Sequence, residues 1–148
     1  MTAAVTTRNA EPDEVEFAFV VTEAAMRSYV EQTWGEWKAA WQREHHVASF
    51  EAEPHEVVLV GTVRAGILVV CETPTHLQLE KLYVLPEFQN QGIGAALLEQ
   101  VLRRGRAASK PVCLRVLTVN TSAQRFYARH GFRITECTAE RCIMAAGT

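Results

Sequence analysis

The middle of the chain carries short β-branched apolar runs, and helical spacings flank them on either side. Phe17 to Val21 is rich in β formers and reads as a first strand. Met1 to Glu14 before it has no periodicity and reads as a disordered lead-in. From Thr22 to His46 the pattern is helical. Ala25, Met26, Tyr29 and Val30 make one stripe, and Trp34, Trp37, Ala40 and Trp41 make a second, interrupted by Gly35. Two helices joined near Thr33 to Gly35 are expected. Three strands should follow, over Glu56 to Val60, Ala65 to Cys71 and Leu77 to Val84. The short turns at Gly61-Thr62 and Thr73-Pro74 favour an antiparallel meander. After the segment Gln89 to Gly94, the residues Ile93, Leu97, Leu98, Val101 and Leu102 share one face of a clear amphipathic helix. Pro111 to Val119 is another strand, and Thr121 to His130 a helix with Gly131 at its C-terminal cap. Phe132 to Thr135 and Arg141 to Ala145 complete the set.

This order predicts an α/β (α+β) domain over residues 15–148, with about seven strands and about four helices. A strand–helix–strand passage from Leu77 to Val119 demands one parallel pair in an otherwise antiparallel sheet. A chain of 148 residues suffices for one core without staples. Its formal charge of −2 and lack of a long basic run argue against a grip on nucleic acid. The longest apolar run, Ile67 to Cys71, is far too short to cross a bilayer, and the start lacks the pattern of a signal peptide. A cytoplasmic protein is the expectation. Cys71, Cys113, Cys137 and Cys142 have no C-x-x-C spacing and read as reduced, buried thiols. The five histidines lack metal-ligand spacing and read as surface or capping residues, so no metal is expected.

Candidate chemistry concentrates between Leu79 and Gly94. A strand runs into a loop with two glycines, Gly92 and Gly94, and a helix begins there. Free N–H groups at a helix start bind anions, and glycine lets a phosphate approach the backbone. The loop has no Lys-Ser/Thr pair after its glycines, and Leu97 stands where a dinucleotide fingerprint needs Gly or Ala.

Gln89-x-x-Gly92-x-Gly94, preceded by Leu82-Tyr83-Val84-x-Pro86, resembles the acyl-CoA pyrophosphate motif of GNAT N-acetyltransferases. A second block, Asn120-x-x-Ala123-x-x-Phe126-Tyr127 closed by Gly131-Phe132, follows at the family's spacing. The resemblance implies acetyl-CoA as co-substrate. The backbone of Leu82, Tyr83 and Val84 would hold the pantetheine arm, with the Val84 N–H polarising the thioester carbonyl. Gln89, Asn90, Gln91, Gly92, Ile93, Gly94 and Ala95 would cradle the pyrophosphate, and Asn120 would bond the pantetheine. Tyr127 would sit beside the sulfur as general acid.

Some branches of the family place a Glu five residues before the motif Asn; here Arg115 stands there. Glu80 is the remaining carboxylate for a base, with a partly exposed, ion-paired strand residue as its bland reading. Tyr29, Glu31 and Trp34 are candidates for the acceptor pocket, although core packing alone explains a Trp34, Trp37, Trp41 stripe. Arg103, Arg104 and Arg106 read as a solvated helix end. The resemblance implies transfer of an acetyl group to a primary amine, on a small molecule or a protein, by direct attack in a ternary complex. The competing reading is a non-catalytic acyl-CoA-binding module. Homodimers are common in the family, and no interface is legible.

Overall fold

Among residues 4–147, which the computed structural model describes, the chain forms seven strands and four helices. The strands are β1 (Val5–Asn9), β2 (His55–Val60), β3 (Val63–Glu72), β4 (Leu77–Val84), β5 (Val112–Leu117), β6 (Arg133–Cys137) and β7 (Arg141–Ala146). The helices are α1 (Val15–Trp34), α2 (Ala39–Ala52), α3 (Ile93–Ala108) and α4 (Thr121–Arg129). One sheet holds all seven strands in the order β1-β2-β3-β4-β5-β7-β6, and β4–β5 is its parallel pair. The class and the mixed sheet are those predicted, and the parallel pair falls on the expected strand–helix–strand passage.

Helix α3 covers one face. It buries Ile93, Leu97, Leu98 and Val101 in a core with Leu77, Leu79, Val112 and Leu114 of the central strands. Helix α1 covers the other, where Ala18 and Val21 meet Ile67, with Phe17, Tyr83 and Leu85 packed around them. A small cluster of Phe19, Val30 and Trp37 extends this side toward α2.

Two expectations at the N-terminal end fail. Phe17–Val21 lies in the first two turns of α1 and is not a strand. Its Ala18 and Val21 face the sheet while Val20 is 49% exposed, a three-residue recurrence that continues in phase to Ala25 and Met26. Local β preference yields here to the packing of a whole helix. The first strand lies inside the supposed disordered lead-in. Val5–Asn9 pairs antiparallel with β2, from Val5 opposite Val60 to Asn9 opposite Glu56. Residues 1–3 of that lead-in lie outside the described residues. Glu14 closes the segment: Arg8 donates to both of its oxygens (2.7 and 2.9 Å), Arg64 donates to Oε2 (3.2 Å), and the Glu11 N–H donates to Oε1 (2.9 Å).

The cysteines also depart from expectation. Cys137 and Cys142 lie opposite each other on β6 and β7 and form a disulfide, whereas Cys71 and Cys113 are free and half-buried. Only the register of the hairpin brings the pair together. His46 and His55, expected at the surface, are 4% and 5% exposed.

Candidate active site

The cleft originates in an irregularity of β4. Val69 faces Lys81 and Val70 faces Leu79, so Glu80 is an extra residue forming a β-bulge. Pairing of β4 with β5 stops at Leu79–Leu114, and the two strands then separate. The Leu85 N–H donates to Ala65 O at 2.8 Å. With the period of two, the Tyr83 N–H also faces β3, and those of Leu82 and Val84 face the gap. Gly66 is required beside this wall, because a Cβ there would collide with the Tyr83 carbonyl.

The gap opens into a cleft of about 1330 Å³ that reaches from α1 and α2 on one face to the starts of α3 and α4 on the other. Gly92, in the left-handed conformation at φ 78°, precedes α3, and no side chain caps that helix. The Ala96 N–H donates to Gly92 O (3.1 Å), so the N–H groups of Ile93, Gly94 and Ala95 have no intrahelical acceptor. A Cβ on Gly92 would meet nothing within 4 Å, so the space beside Gly92 is open. At Gly94 it would stand 3.4 Å from the Phe126 ring, which shows how closely α4 approaches. Three amides without an intrahelical acceptor at a helix start suit a phosphate.

Gln89, Asn90, Gly92, Ile93, Gly94 and Ala95 line the cleft. Gln91 does not; its side chain donates to Glu87 O (3.1 Å). Gln89 donates to Val84 O (3.0 Å), tying the loop to the end of β4.

Asn120 caps α4, its Oδ1 accepting the Ala123 N–H (3.1 Å). Its amide nitrogen remains for a ligand. Tyr127 lines the cleft and packs edge-on against Phe126 and Phe132, with ring centroids 5.3 and 5.6 Å away. Burial pushes its hydroxyl up to about 12. Tyr83 is raised too, first by burial and then by the nearness of Tyr127 and of the carboxylates of Glu80 and Glu53. Glu80 faces the cleft and accepts from Arg115 at 3.5 Å, so its ion-paired reading holds.

On the other face Tyr29 and Trp34, the candidates for an acceptor pocket, line the cleft. Glu31 does not; it turns to Arg27 (3.4 Å) outside the lining. Packing explains only one of the three tryptophans. Trp37 is 7% exposed, whereas Trp34 and Trp41 are 47% and 57% exposed at the cleft mouth. Gly35, left-handed at φ 98°, ends α1 and breaks the stripe. The Arg141 guanidinium lies 5.1 Å from the Trp34 ring, and His45 stacks on Trp41 at 5.0 Å. Arg104 pairs with Glu56 (2.8 Å) and Arg106 with Glu99 (3.3 Å), away from the cleft.

Sequence reasoning missed a polar group at the α2 end of the cleft. Lys81 Nζ donates to Ser49 Oγ (3.1 Å) and to His55 Nε2 (3.2 Å). The His55 Nδ1–H donates to Glu53 O (3.1 Å), which leaves Nε2 as the acceptor. Ser49 in turn donates to Glu53 Oε1 (2.5 Å). Burial lowers the Lys81 ammonium and the His55 imidazolium from their ordinary values. The only hint in sequence is a lysine between strand residues that should be buried.

Residues 13–132 match the model of the Acetyltransferase (GNAT) family, and the chain belongs to that family. It is 32% identical over 92 residues to an uncharacterized N-acetyltransferase of Mycobacterium tuberculosis, covering 59% of each chain. An uncharacterized N-acetyltransferase of Archaeoglobus fulgidus is 40% identical over 60 residues, 40% of this chain and 41% of the relative. The chain thus spans well under two thirds of the curated relatives it matches. Its fold is similar to that of the PaiA N-acetyltransferase from Thermoplasma acidophilum in complex with coenzyme A. The TM-score is 0.82 at 16% identity, over 98% of this chain and 99% of that one. An acetyltransferase from Thermus thermophilus gives a TM-score of 0.79 at 17% identity over the whole of both chains. No helix among the described residues is long and apolar enough to cross a membrane.

Proposed function

We propose that the protein transfers an acetyl group from acetyl-CoA to a primary amine by direct attack within a ternary complex. The observation that carries this reading is one continuous cleft joining two devices. At one end the amides of Ile93, Gly94 and Ala95, without an intrahelical acceptor, await a phosphate. At its waist, free N–H groups of Leu82 and Val84 line the gap opened by the Glu80 bulge. Fixed N–H groups stabilise charge developing on a thioester oxygen without reorganising. The amine nitrogen forms the amide bond as the carbon–sulfur bond breaks; Tyr127 gives its phenolic proton to the departing sulfur and regains the proton that the attacking nitrogen sheds. Glu80, beside the gap, takes the proton that the ammonium must lose first. Asn120 offers its side-chain N–H to the pantetheine. Neither motif implies a nucleophilic Cys or Ser, which favours direct transfer over an acyl-enzyme.

Calorimetric titration with acetyl-CoA tests the anchor of this reading. Gly92→Asn and Gly92→Asp place similar side chains at the same left-handed position, where Asn and Asp are tolerated better than other residues. They differ by one negative charge. Asp should weaken acetyl-CoA binding on the order of tenfold more than Asn. Equal affinity in the two variants would remove the phosphate from this loop. Binding without turnover on any amine would favour the non-catalytic module.

A further inference from the structure

The acceptor end of the cleft contains a half-buried cation with no directly bonded carboxylate. Among the described residues, Lys81 is the one Lys or Arg that is not exposed and has no carboxylate within 4.0 Å. Its two protein partners, Ser49 Oγ and His55 Nε2, are neutral acceptors. The nearest carboxylate in the chain of contacts, Glu53, is held off by the Ser49 hydroxyl that lies between them. Lys81 is half-buried, and charges partly withdrawn from water are ordinarily paired directly, because desolvating a lone ammonium is costly. An ammonium has three N–H donors. Two are used here, and Lys81, Ser49 and Glu53 all line the cleft, so the third is available to a ligand.

We infer that the acceptor is an amino carboxylate, whose carboxylate pairs with Lys81 while its amine points to the gap between β4 and β5. This rests on the acetyl-transfer reading above. The phosphates of the co-substrate cannot be the anion that pairs with Lys81 in that reading, because their cradle at α3 lies on the opposite face of the sheet. The distribution of charge also sets the orientation. Lys81 repels the ammonium end of a zwitterion, and Glu80 at the bulge attracts it. A neutral hydroxyl or amide on the acceptor would leave Lys81 without a directly bonded anion.

The test compares ω-amino carboxylates of increasing chain length, and α-amino acids, with the alkylamines that lack only the carboxylate. Acetylated product is quantified for the wild type, Lys81→Met and Glu53→Gln, with acetyl-CoA affinity measured in parallel. In the wild type the best amino carboxylate should exceed its carboxyl-free partner at least tenfold in kcat/KM. Lys81→Met should reduce kcat/KM for that carboxylate about 10- to 100-fold, the scale for losing a hydrogen bond to a charged group, and leave the alkylamine within about twofold. Glu53→Gln removes a competing negative charge and should lower KM for the carboxylate, an effect that loss of structure would not produce. The inference is overturned if alkylamines are preferred, or if Lys81→Met depresses both classes equally while Glu53→Gln leaves KM unchanged. Acetyl-CoA binding with no product from any amine would overturn the transfer reading and this inference with it. Acetylation indifferent to the carboxylate would overturn this inference alone.

Discussion

Replacing Glu14 by Gln should destabilise the fold in a way that disappears in acid. The carboxylate is 6% exposed and receives Arg8 through both oxygens, Arg64 through one, and the Glu11 amide. The Arg8 guanidinium is the main reason its pKa falls from the ordinary 4.5 to about 2. Taken at face value, that drop corresponds to roughly 3 kcal/mol of stability at neutral pH. The Arg8 and Arg64 side chains are 41% and 46% exposed, so screening by solvent reduces the figure to about 1–2 kcal/mol. A depressed carboxyl pKa contributes fully above 4.5 and is lost as pH falls toward 2. Urea unfolding followed by tryptophan fluorescence should therefore show Glu14→Gln weaker by about 1–2 kcal/mol at pH 7. More than half of that difference should be gone by pH 3. The consequence reaches the cleft, because Arg64 also lies 4.4 Å over the Phe17 ring and so anchors the start of α1, the helix that carries Tyr29. Equal losses at pH 7 and pH 3, or no loss at pH 7, would refute the reasoning.

Further outcomes can be measured directly. Tyr127→Phe should lower kcat by about a hundredfold or more while acetyl-CoA affinity stays within about twofold. Because burial keeps this phenol protonated up to about 12, its loss should not remove any basic limb of the rate profile below pH 10; a limb there that vanishes in the variant would exclude the acid role as drawn. In the same assay an unchanged kcat for Glu80→Gln would assign that carboxylate to its Arg115 pair alone. Alkylation of the denatured, unreduced protein should label Cys71 and Cys113, with Cys137 and Cys142 reacting only after reduction. Mass spectrometry of the peptides reads this, and label on the latter pair before reduction contradicts the hairpin disulfide.

The central part of this protein was legible in its sequence because its signals are local. The amphipathic stripe of α3, the turn-bounded apolar runs of β2 to β4 and the glycines on either side of Ile93 each act within a few residues, and the structure reproduces them nearly to the boundary. The chain order of strand, helix and strand also sufficed to require the parallel pair at β4–β5. What tertiary structure decided involves partners distant in sequence. Val5–Asn9 has little to identify it until β2 supplies the hydrogen bonds of its ladder, and Phe17–Val21 became helical because one face of a twenty-residue helix packs on the sheet. The disulfide awaited the β6–β7 register, and the split fate of the three tryptophans awaited the turn at Gly35. Nor could the acceptor end be read in advance: Lys81 meets Ser49 and His55 only because α2 and β2 are folded against β4, 32 and 26 residues away along the chain. Sequence patterns record what each residue does to its own segment; a half-buried charge acquires its meaning from the groups that the fold brings to it.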